Sequence, residues 1–84
     1  MPTPEVIEKV RHLRAELAKT RPDTVEAANV AKHINRVLVN PGQAPPYEGL
    51  RDRLLSATAD LESHHPQLAN SMKAVINALS AAGV

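Results

Sequence analysis

Cysteine, phenylalanine and tryptophan are absent from this 84-residue chain, and Tyr47 is its single tyrosine. Without cysteine there is no disulfide, no thiolate metal ligand and no thiol nucleophile. Without Phe and Trp, the large burial that an aromatic ring contributes is missing. The core has to be assembled from Ala, Val, Leu, Ile and two Met. Glycine is scarce at three residues, and none forms a glycine-rich loop that would cradle phosphate. No apolar run reaches the ~18 residues of a membrane-spanning helix, and no signal-peptide segment opens the chain. A strong charge of one sign is missing too. Ten Lys/Arg and nine Asp/Glu leave a net charge of +1, which steers neither nucleic acid nor an anionic membrane. These absences point to a cytoplasmic protein without a membrane partner.

What remains is 43% apolar, mostly small and aliphatic. A chain of this length is one domain, residues 1–84, and buries only about 60–65% of its unfolded surface. A thin core in so small a domain is commonly supplemented by oligomerisation. A homodimer is therefore expected.

The apolar spacing is helical throughout, giving an all-α fold of three to four amphipathic helices in two hairpins. The first helix spans 3–20, with Thr3 as cap, Pro4 at its first position, and Val6, Val10, Leu13 and Leu17 at intervals of four, three and four. The second spans 23–40. Asp23 and Glu26 have capping-box spacing at its start, and Ala27, Val30, Ala31, Ile34, Val37 and Leu38 share one face. Residues 41–49 read as a Pro/Gly-rich loop joining the hairpins, with Tyr47 lying over the apolar face. The third helix spans 50–64 and repeats the interval with Leu50, Leu54, Ala57 and Leu61, flanked by Leu55 and Thr58. The fourth spans 66–82.

The stretch from Glu62 onward organises the rest. His65 and Pro66 form a structural break. Proline lacks the N–H that a continuing helix needs, but suits the first position of a new one. The break is either a sharp turn or a kink in one long bent helix, and the latter would favour an intertwined dimer. Leu61, Leu68, Met72, Val75 and Leu79 then form a heptad-like stripe that Ile76 widens, and Gly83 closes the helix. The stripe is either monomer core or dimer interface.

The same stretch carries a resemblance. Glu62-x-x-His65-Pro66-x-Leu68, then Val75-Ile76-x-Ala78-Leu79 and the terminal Gly83-Val84, resemble a small, mainly bacterial family of helical proteins that carry a domain of unknown function. Leu13-x-x-Glu16-Leu17 is similar as well, while the prolines of residues 41–46 depart from the pattern. The resemblance implies a small helical protein and brings no activity or site residue with it.

No constellation in the chain outweighs its ordinary structural explanation. Glu62-x-x-His65 has the spacing used by di-iron bundles, but such sites need two of these motifs and two further glutamates. His64 and His65, beside Asp60 and Glu62, could chelate a transition metal at the surface, but His65, between a helix end and Pro66, reads better as bonding free backbone groups or meeting the negative end of the third helix. His12 and His33 on helix flanks read as solvated or partly covered, and no metal or cofactor is assigned. Ser56, Ser63, Ser71 and Ser80 lack any nucleophile context, and no catalytic residue is assigned. Lys9, Arg11, Arg14, Lys32 and Arg36 give the first hairpin a basic face, but glutamates interrupt it and aromatics for base stacking are missing. The expectation is a non-catalytic module that self-associates through the last two helices. The alternative is a small nucleic-acid-associated protein using the first hairpin.

Overall fold

The computed structural model describes residues 3–42 and 45–83. Four helices follow one another: α1 (Pro4–Thr20), α2 (Val25–Val39), α3 (Pro45–Leu61) and α4 (Pro66–Ala81). Both α1 and α3 pack against α2 and α4, closing a ring of four. Thr20 at the end of α1 lies beside His65 and Pro66 at the start of α4, and Pro4 lies beside Pro41 after α2. Successive helices therefore run antiparallel, as short connections require. Among the described residues there is no strand.

The core repeats the sequence periodicity helix by helix. Val6, Val10, Leu13 and Leu17 point in from α1, and Ala27, Val30, Ile34 and Val37 from α2. Tyr47, Leu50, Leu54, Ala57 and Leu61 come from α3, and Leu68, Met72, Val75 and Leu79 from α4. Intervals of three and four keep one seam per helix facing the bundle axis. Ala31, Leu38 and Ile76 sit at the seam edges, partly buried.

The termini of the helices explain most of the boundaries. Thr3 caps α1, its Oγ1 accepting from the Val6 N–H at 3.2 Å. After α1, Arg21 takes the left-handed conformation (φ 49°) and its N–H reaches the Leu17 carbonyl at 2.9 Å. Pro22 then prevents the helix from resuming. The cap of α2 is Thr24 rather than Asp23. Its Oγ1 accepts from Ala27 at 3.0 Å, which puts Ala27 at the third position and leaves Glu26 outside a capping box.

The larger departure is at α3. Three prolines and two glycines predict a loop over 41–49, yet helix begins at Pro45. The first four N–H groups of a helix have no partner inside it, so two prolines in the first turn forfeit nothing. Starting there carries Tyr47 into the core, where it is fully buried rather than laid over the surface. Residues 43 and 44 of the predicted loop, Met1 and Pro2, and Val84 of the C-terminal pair lie outside the described residues. At the other end α3 stops at Leu61, where its apolar interval ends and three residues before the boundary at 64 that Pro66 suggests. The N–H groups of His64 and His65 both turn back to the Leu61 carbonyl, at 3.2 and 2.7 Å. Pro66 then occupies the first position of α4, so the break is a sharp turn between two helices. Gly83, at φ 82°, closes α4 with its N–H on the Ser80 carbonyl at 3.1 Å.

Candidate interaction surfaces

The apolar stripe is core in the single chain. Leu61, Leu68, Met72, Val75 and Leu79 are each at most 1% exposed. Ile76, one residue and therefore about 100° on from Val75, sits at the edge and keeps part of its surface outside. His65 contributes its backbone to the turn, and its side chain makes no capping bond to α4.

What stays outside is a short apolar patch along the α3–α4 seam. Leu55 is 55% exposed. It lines one groove with Ala59 on α3 and with Ile76 and Asn77 on α4. Thr58, between Leu55 and Glu62, is buried, and its hydroxyl donates to the Leu54 carbonyl at 2.7 Å. The groove therefore loses its one buried hydroxyl to the helix itself. Lys73 Nζ and Glu62 Oε1 bridge it at one end at 3.0 Å. Arg51, one turn before Leu55, pairs with its neighbour Asp52 at 3.4 Å. The sequence puts Leu54 in the four-three-four interval and Leu55 on its flank, without showing whether a neighbouring helix covers Leu55. Val25 and Val39 are also exposed, but they stand at opposite ends of α2 and form no patch.

The polar side chains divide among separate surfaces. Glu5, Glu8, Lys9 and His12 of α1 line a groove with Asn70, Ser71 and Ala74 of α4. Lys9 and His12 thus share a groove with glutamates of their own helix, while Arg11 and Arg14 line a different surface with Ala15 and Ala18. Lys32 and Arg36 are exposed on α2. His33 is half-buried, with Nδ1 2.9 Å from the Asn29 carbonyl and its ring against Gly49 of α3. One carboxylate oxygen of Glu26 is buried without a hydrogen-bond partner among the described residues. In the turn, Ser63 Oγ lies 3.0 Å from His64 Nδ1, and Glu62 is held by Lys73 rather than by His65. Among the described residues, no group of three or more His, Asp or Glu is placed to hold a metal ion.

The fold perturbs the ionisation of Tyr47. Its hydroxyl donates to the Pro41 carbonyl at 2.6 Å, tying the α2–α3 connection to the first turn of α3. Burial raises its pKa above the ordinary tyrosine value, and the positive charge of Arg11 opposes that rise. A neutral phenol serving as a structural donor fits this environment. No helix among the described residues is long and apolar enough to cross a membrane.

No curated protein and no solved structure matches the chain. A family pattern does, over residues 6–84, which takes in α1 from Val6 onward, the other three helices and the whole of the α3–α4 seam. The chain belongs to the family described as Domain of unknown function (DUF4404).

Proposed function

We propose that this protein is a non-catalytic helical module that self-associates as a homodimer at the outer edge of its last two helices. One observation carries the reading: Leu55 stands 55% exposed in the middle of the α3–α4 seam, beside Ala59 and Ile76. A branched aliphatic side chain gains about 1.5–3 kcal/mol when it passes from water to full burial. The rest of the apolar stripe is already consumed by the monomer core, so this edge is where further burial remains. The polar surfaces support catalysis poorly. The close hydroxyl–imidazole contact, Ser63 Oγ to His64 Nδ1, joins two exposed sequence neighbours in a turn, and His33 is engaged with the Asn29 carbonyl. A cytoplasmic setting accords with the absence of cysteine.

The test is solution mass by light scattering on a sizing column over a dilution series. A species near twice 9.1 kDa that dissociates on dilution supports the reading. A folded monomer at every concentration refutes it. Nucleic-acid association through the first hairpin is the competing proposal, and the scatter of its basic side chains over different surfaces weakens it. A salt-sensitive shift of duplex DNA would favour that alternative.

A further inference from the structure

Resting on that reading, we infer that the occupant of the seam is a second copy of this chain, docked two-fold with its α3 antiparallel to the first. The ground is a charge pattern that is its own complement when reversed. Arg51, Leu55, Thr58 and Glu62 recur at intervals of four, three and four, so they share one face of α3. Glu62 keeps the helical register, its N–H still bonded to the Thr58 carbonyl at 3.0 Å. The face therefore runs from a cation, through Leu55, to an anion about 16 Å further on.

Two such faces can meet in two ways. Parallel pairing places Arg51 on Arg51 and Glu62 on Glu62, and both contacts repel. Antiparallel pairing places Arg51 of each copy on Glu62 of the other, with Leu55 over the Thr58–Ala59 segment and Ile76 alongside. A two-fold interface makes each of these contacts twice. The charged groups are available for it. The side chains of Arg51 and Glu62 are 36% and 59% exposed, although each already has an intrachain partner. Glu62 uses Oε1 on Lys73, and its second oxygen can accept from a guanidinium. Arg51 uses one terminal nitrogen on Asp52, leaving further N–H donors for a second carboxylate. A foreign partner would need no such internal complementarity.

The experiment compares the full chain with Arg51→Glu, Glu62→Arg and the double reversal by sedimentation equilibrium, using circular dichroism to establish that each is folded. Each single reversal should weaken association by about tenfold or more, because two attractions become two repulsions. The double reversal should restore affinity to within a few-fold. Raised salt should narrow the difference between the single reversals and the wild type. If the wild type dimerises and both folded single reversals dimerise equally well, the antiparallel arrangement is overturned while self-association stands. If the wild type does not dimerise at all, both fall.

Discussion

Replacing Tyr47 by phenylalanine removes one oxygen atom and keeps the ring. The ring is fully buried, and the lost oxygen is the donor to the Pro41 carbonyl at 2.6 Å. A neutral hydrogen bond contributes about 0.5–1.5 kcal/mol net, and leaving its acceptor unpaired raises the cost toward the upper end. Pro41 is only partly buried, so water can replace some of what is lost. The expected cost of Tyr47→Phe is about 1 kcal/mol, or a fall in Tm of about 4–8 °C for a domain of this size. Tyr47→Ala also empties the ring volume, at about 3–5 kcal/mol. That is much of the total for a small domain, and the variant should be substantially unfolded at room temperature. A pH dependence separates the hydroxyl from the ring. Because burial raises the folded pKa, the unfolded chain ionises first as pH climbs past about 10. Stability therefore falls from there until the folded phenol also ionises, and below that window the contribution is complete. Lysines titrate nearby in pH, so the readout is the difference between wild type and Tyr47→Phe. Thermal melts followed at 222 nm, from neutral pH to pH 11, measure both effects. If Tyr47→Phe melts with the wild type and loses stability in parallel above pH 10, the anchoring role assigned to this hydroxyl is wrong.

Gly49 interrupts α3 where alanine would favour helix by about 1 kcal/mol, but a Cβ there would come within 3.3 Å of His33 Cδ2. Gly49→Ala should therefore be neutral or destabilising in the wild type and stabilising in a His33→Ala background. A urea-melt double-mutant cycle should give a coupling of at least about 0.5 kcal/mol, and strict additivity would contradict the packing argument. Arg21 holds a left-handed conformation at φ 49°, which costs a residue with a Cβ about 1 kcal/mol or more. Arg21→Gly should stabilise by about 0.5 kcal/mol after the glycine's extra unfolded freedom is subtracted. Arg21→Val should destabilise, and equal melts for Gly and Val at this site would refute the strain.

The core was legible because its signal is redundant. Four helices each repeat the three-and-four interval, so Val6 to Leu17 and Leu68 to Leu79 declare their inward faces without any long-range information. Thr3 and Gly83 were equally plain, since each supplies a terminus with a group that the helix interior cannot use, whereas Pro66 marked a break but left turn and kink open until the His64 and His65 N–H groups were placed on the Leu61 carbonyl. The start of α3 was not plain. Pro45 and Pro46 are breakers inside a helix and harmless in its first turn, and only the position of Tyr47 in the core decides between these. The cap of α2 turns on Asp23 against Thr24, two adjacent acceptors of nearly equal merit. The candidate surface was the least visible, because it depends on rotations of about 100° between neighbours. Val75 is core and Ile76 is edge; Leu54 is core and Leu55 is outside. The interval puts Leu54 and Val75 on the seam, but how much of Leu55 and Ile76 stays outside is decided by packing against the adjacent helix.

The most direct test of the account is the solution mass of Leu55→Glu beside the wild type, with helicity and thermal melting recorded on the same samples. Leu55 is exposed in the single chain and central to the proposed seam, so the variant should keep the wild-type helical signal and run as a monomer near 9.1 kDa. A folded Leu55→Glu that remains as dimeric as the wild type would contradict the claim that the α3–α4 edge joins two copies.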